Sequence, residues 1–188
     1  MKTRGVEAED PAVTEGSTCM GELAAALRSH PFTKHLPEAS LSQLASVATK
    51  VEFREDEIII RAGERPRHVY LLLSGSVCVE ISASVYAVRI QALGPGDVFG
   101  WAALVDHYRA VFQVRARQPT TAVCLDGPRL LEASCAEPRV GLDIFRRLLS
   151  VAAQRVAASE IRLAEFYGVA GSASANRPAR YQPARSSH

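Results

Sequence analysis

Five histidines (His30, His35, His68, His107, His188) and four cysteines (Cys19, Cys78, Cys124, Cys135) are the side chains of this 188-residue sequence best suited to acid–base, nucleophilic or metal chemistry. Titratable groups crowd together at Asp106-His107-Tyr108. An acid–base site there would need a nucleophile or a second carboxylate converging on the same point. No nucleophile elbow and no carboxylate pair at a meaningful spacing accompanies it, so the triplet reads as a loop. A metal site would need histidines clustered on adjacent strands, whereas His68 stands alone at a strand start. The cysteines form no C-x-x-C pair and no zinc-ligand spacing. Cys78 lies between Val77 and Val79, and Cys124 between Val123 and Leu125, so both read as small, reduced, inert hydrophobes inside strands. The expectation is a protein that is not an enzyme and has no metal and no resident cofactor.

The elements that would position any site follow from composition and patterning. With 47% hydrophobic and 22% charged residues the chain can bury a real core. A net charge of +2 predicts neither a nucleic-acid nor a membrane partner. No apolar run approaches the roughly 18 residues of a membrane span, and Met1 to Asp10 has no apolar signal region, which points to the cytoplasm.

Residues 1–19 lack periodicity and read as a flexible segment. Leu23 and Leu27 mark a short helix from Met20 that stops at His30-Pro31, because the residue before a proline avoids helical angles. A second helix opens at Leu36-Pro37, with Leu41, Leu44, Ala45, Val47 and Ala48 at helical spacing. From about Lys50 the texture becomes strand-like: Val51 to Phe53, Ile58 to Ile60, Val69 to Leu73, Val77 to Ile81, Val85 to Leu93, Val98-Phe99, Val111 to Arg115 and Thr120 to Leu125. Many short strands with Gly-rich turns between them indicate a closed or double-sheet antiparallel fold. A short helix from Pro128 and a long one at 139–167 follow. Leu142, Phe145, Leu149, Ala152, Val156, Ser159, Leu163 and Phe166 recur at alternating spacings of three and four along the long helix, a heptad seam with one polar member. Such a seam must be covered, either by the chain's own β domain or by the same helix of a second chain. Parallel pairing into a homodimer is the expectation. Residues 168–188, rich in Gly, Ser, Ala, Pro and Arg, read as a disordered tail.

Three stretches in this order, Ile60-Arg61-Ala62-Gly63, Val69 through Val77 with its Ser74-Gly75-Ser76 turn, and Leu93-Gly94-Pro95-Gly96-Asp97-Val98-Phe99-Gly100, resemble the cyclic-nucleotide-binding domain of the catabolite activator protein and of kinase regulatory subunits. The resemblance covers residues 20–167, including the flanking helices. It implies an α+β fold: an eight-stranded antiparallel β-roll (jelly-roll) flanked by N-terminal helices and a long C-terminal helix. It also implies a phosphate-binding cassette at Phe99, Gly100, Trp101, Ala102, Ala103, Arg109 and Ala110, where the free N–H groups of a short helix face the cyclic phosphate of cAMP or cGMP.

The sequence departs from the family pattern twice. Trp101 stands where a glutamate normally accepts from the ribose hydroxyl, and an indole only donates. Counting back from Val114-Arg115-Ala116, Arg109 lies one residue earlier than the family's phosphate arginine, and a one-residue slip reverses facing along a strand unless a bulge absorbs it. Arg109 is therefore either the phosphate ligand or a solvent-facing loop residue, and Arg115 is read as an outward strand residue. The Gly-Trp start with His-Tyr-Arg after it also looks like a bacterial single-domain subgroup with an altered cassette. After the long helix there is no apolar periodicity for a helix-turn-helix, so DNA binding by this chain alone is not expected. The implied function is a regulatory module that senses a cyclic nucleotide weakly, or another small anionic ligand, and signals through its C-terminal helix. The alternative is a ligand-free scaffold that binds proteins.

Overall fold

The computed structural model describes residues 20–82 and 87–167. The expected flexible segment 1–19, the expected tail 168–188 and the start of the strand expected from Val85 lie outside these residues. Two helices, α1 (Met20–Ser29) and α2 (Glu38–Ser46), precede eight strands: β1 (Ala48–Phe53), β2 (Ile58–Ile60), β3 (His68–Ser74), β4 (Val77–Ser82), β5 (Ala87–Leu93), β6 (Val98–Phe99), β7 (Gln113–Ala116) and β8 (Thr120–Asp126). A 3-10 helix, Trp101–Leu104, lies between β6 and β7, and α3 (Gly127–Ala136) and α4 (Pro138–Phe166) follow β8. No described helix is long and apolar enough to cross a membrane.

The strands form two four-stranded sheets, ordered β1-β8-β3-β6 and β2-β7-β4-β5, with every pairing antiparallel. Alternation along each strand turns one face inward. Val51, Phe53, Tyr70, Leu72, Phe99, Ala122 and Cys124 of the first sheet meet Ile59, Val77, Leu93, Val114 and Ala116 of the second in one core. This is the expected α+β β-roll. Cys78 and Cys124 are buried in strands and form no disulfide, as their apolar neighbours indicate, whereas Cys135 on α3 is exposed.

Two boundaries differ from the sequence reading. Ala48, counted with the second helix, instead pairs with Leu125 as the first residue of β1. The strand expected from Val111 starts at Gln113, and Val111 is exposed. Apolar type alone does not place a residue inside when the sheet pairing that would cover it has not yet begun.

Helices α1 and α2 pack against β1, and α1 and α3 against β8, of the first sheet. Asp126 caps α3, its Oδ1 accepting from the Arg129 N–H at 2.8 Å. Pro138 sits at the start of α4, where a missing N–H costs nothing. At the base of α4, Gly141, Ile144 and Leu148 are buried, and Arg147 Nε donates to the Phe32 carbonyl at 3.2 Å. Leu142 of the heptad seam is exposed here. The chain divides into two compact units after Leu148. In the second, Leu149, Val156, Leu163 and Phe166 of the seam are each more than half exposed.

Candidate functional site

The candidate site starts where β6 leaves the first sheet. Phe99 is buried and pairs with Tyr70 of β3, and the two rings stack with centroids 4.9 Å apart and planes 16° from parallel. Tyr70 also meets Phe53 edge-on at 5.8 Å. Gly100 then turns the chain with φ of +78°. A Cβ there would come within 2.4 Å of the His68 carbonyl oxygen and 3.2 Å of Tyr70 Cδ2. Only glycine combines that dihedral with that approach.

The turn opens the 3-10 helix Trp101–Leu104, in which Ala103 N–H donates to the Gly100 carbonyl at 2.9 Å. The first N–H groups of such a helix have no partner within it. Trp101, Ala102 and Ala103 are half-buried. Phe99 through Ala103 are thus one continuous turn seated on β3.

Arg109 and Ala110 sit on the return segment. Ala110 is buried, its N–H donating to the Glu64 carbonyl at 2.8 Å and its carbonyl accepting from Gly63 N–H at 2.7 Å. Arg109 is exposed, and its Nη1 donates to the Gly63 carbonyl at 2.9 Å. Neighbouring residues therefore face opposite ways, and the guanidinium is occupied by the β2–β3 connection. Asp106 and His107 are exposed, with His107 in the left-handed region at φ of +57°. No cluster of three or more His, Cys, Asp or Glu side chains that could hold a metal occurs among the described residues.

Several buried polar residues escaped the sequence reading, Glu80 and His30 among them. Glu80 on β4, placed only as a polar position within an alternating strand, has Oε1 accepting from Arg115 Nε at 2.9 Å and from Gln113 Nε2 at 2.8 Å. Arg115 also donates to the Asp56 carbonyl at 2.7 Å, so the outward-reading strand arginine is the centre of a polar cluster joining β4, β7 and the turn before β2. Burial alone would raise the Glu80 carboxyl. The hydrogen bonds from Arg115 and Gln113, with the charges of Arg115 and Arg117, outweigh it and leave the group below its ordinary range. His30 is buried at the end of α1, with Nδ1 accepting from Phe32 N–H, and burial lowers its pKa. No periodicity signals either residue, and the partners of Glu80 lie more than 30 residues further along the chain.

Comparison with known proteins bears on this arrangement. The family described as "Cyclic nucleotide-binding domain" matches residues 50–134. Glutaminase 2 of Bradyrhizobium diazoefficiens is 25% identical over 123 residues, which is 65% of this chain and 19% of that protein. The chain thus spans about a fifth of the length of that curated relative. Among solved structures, a cyclic nucleotide-binding domain from Methylobacillus flagellatus superposes with a TM-score of 0.64 at 19% identity, covering 76% of this chain and 81% of that one. The regulatory subunit of a cAMP-independent protein kinase A from Trypanosoma brucei gives 0.57 at 23% identity, over 69% and 46%. At such identities the structural likeness speaks to the fold.

Proposed function

We propose that the chain, whose residues 50–134 match the cyclic nucleotide-binding domain family, is a non-catalytic, cytoplasmic regulatory module that binds a cyclic nucleotide weakly, or another small anionic ligand, at the turn Phe99–Ala103. The observation that carries this reading is Gly100, at φ of +78° against the His68 carbonyl, opening a short helix inside the matched segment. Free N–H groups at a helix start suit a phosphate. With Trp101 in place of a carboxylate, the charged hydrogen bond to the ribose is lost. That costs about 1.5–3 kcal/mol, roughly 10- to 100-fold in affinity, so cAMP or cGMP binds weakly.

Arg109 would serve as the phosphate partner by leaving the Gly63 carbonyl. In equilibrium dialysis with labelled cAMP and cGMP, Arg109→Ala is expected to weaken binding at least tenfold; unchanged affinity removes Arg109 from the site. The bond to Gly63 favours a second reading, a scaffold that has lost nucleotide binding, in which neither protein binds.

The ligand signal would leave through α4, whose seam pairs with that of a second copy to form a homodimer. Leu149 is 70% exposed on that seam, and an aspartate there would place two charges in a dry interface. Sedimentation velocity is expected to show a dimer for the wild type and a monomer for Leu149→Asp. The same sedimentation coefficient for both would contradict the pairing.

A further inference from the structure

We propose that the β2–β3 connection is a second anion site, separate from the Phe99–Ala103 turn, that takes an oxyanion of the phosphate class. Arg61-Ala62-Gly63-Glu64-Arg65-Pro66-Arg67-His68 places three arginines within seven residues. All three border one cleft of about 40 Å³, which Glu64, His68 and Tyr70 also line. A water needs some 10–15 Å³ measured this way, so the cleft has room for a group of a few oxygens.

Arg61, Arg65 and Arg67 are exposed, and none of them takes part in the ion pairs Arg28–Glu38, Arg115–Glu80 and Arg117–Asp56. Among the described residues no carboxylate pairs directly with the three guanidiniums. Three positive groups against the one carboxylate of Glu64 leave two positive charges, which match a phosphate dianion better than a single carboxylate. Guanidinium forks fit both oxygen geometries, so the charge count decides.

The connection is also held in place before any anion arrives. Pro66 restricts its backbone. The carbonyl of Gly63 is held by Arg109, while Gly63 N–H and the Glu64 carbonyl pair with Ala110. A loop already ordered loses less entropy on binding. Tyr70, at the back of the cleft, is the ring that stacks on Phe99. The cleft and the turn carrying Trp101 therefore both adjoin Tyr70, which makes the emission of Trp101 a usable reporter for the cleft.

The test uses inorganic phosphate and the full chain, at constant ionic strength maintained with chloride, with ³¹P line broadening and the emission of Trp101, the single tryptophan, as readouts. Saturable broadening is expected. Arg65→Ala/Arg67→Ala is expected to lower the affinity at least tenfold, Arg139→Ala on α4 to leave it unchanged, and Glu64→Gln to tighten it severalfold. That gain cannot come from misfolding. Glycerol phosphate binding more tightly than inorganic phosphate identifies a phosphomonoester as the occupant, and weaker binding identifies free phosphate. The proposal is overturned if phosphate gives no saturable signal, if Arg139→Ala loses as much as the double variant, or if Glu64→Gln binds no better. Arg65, Arg67 and Glu64 line the cleft and lie outside the Phe99–Ala103 turn, so phosphate binding that these variants leave unchanged overturns this site and leaves the turn's reading standing, whereas binding that they alone alter supports this site whatever the cyclic-nucleotide titration shows.

Discussion

Gly100→Ala is expected to destabilise the protein by about 2–5 kcal/mol, the sum of a left-handed dihedral on an L-residue, about 1–2 kcal/mol, and a forced displacement in a packed site, about 1–3 kcal/mol. In a chain of this size that lowers the melting temperature by roughly 4–20 °C. The atom the new methyl meets, at 2.4 Å, is the backbone oxygen of His68 at the start of β3, held by pairing with Asp126 of β8, and it cannot swing aside as a side chain would. Gly63 is the internal control. Its φ is +83°, nearly the same, yet a Cβ there meets nothing within 4 Å. Gly63→Ala should therefore show the dihedral cost alone, about 1–2 kcal/mol. Urea denaturation of the two variants separates the contributions, and equal losses at both positions would show that Gly100 is not pressed against β3. In Gly100→Ala the relieved turn must lift from β3, so Trp101, the next residue, is expected to shift its emission before global unfolding.

Glu80→Ala is expected to cost about 3–5 kcal/mol, the usual result of removing one partner from a buried ion pair. The Glu80 side chain is only 6% exposed and that of Arg115 27%, so water cannot replace the lost carboxylate oxygen that Arg115 Nε and Gln113 Nε2 share. Glu80→Gln retains an acceptor and should lose less. Urea unfolding at neutral pH measures both, and a loss under about 1 kcal/mol for Glu80→Ala would mean that the cluster is solvated. The pH dependence has a definite sign. Because the folded protein holds the Glu80 carboxyl below its ordinary value of 4.5, its contribution is fully present above that value and is lost as the pH falls through the folded pKa. His30 acts in the same direction. Burial lowers its pKa from 6.5, so below about that pH the unfolded chain takes up a proton that the folded chain resists. Acid sensitivity should thus set in first through His30 and later through Glu80, and Glu80→Gln should remove the later phase.

The architecture was legible wherever one residue type is tied to one environment. Ile58-Ile59-Ile60 and Val69 to Leu73 are β-branched or aliphatic runs bounded by turn residues, and they form β2 and β3. Pro128 and Pro138 each mark the start of a helix, because proline suits a first helical turn. Ala48 failed because alanine suits helix and strand alike, and Val111 because its apolar side chain precedes the pairing of β7. At the site, the turn at Gly100 could be anticipated from Gly-rich punctuation, but not the fate of Arg109. Its hydrogen-bond partner, Gly63, lies 46 residues earlier in the chain, and only the approach of the return segment to the β2–β3 connection brings them together. Glu80 and Arg115 are likewise 35 residues apart. Alternation marks a polar strand position without revealing that a neighbouring strand supplies its counter-charge.

The central claim is that the turn after Phe99 binds a small anion of the cyclic-nucleotide kind, and the emission of Trp101 tests it most directly because the single indole is the first residue of the short helix. Titration with cAMP and with cGMP, each accompanied by a thermal-shift measurement, is expected to give a saturable change in emission and a concentration-dependent rise in melting temperature for at least one of them. No change in either signal up to millimolar nucleotide would contradict the claim.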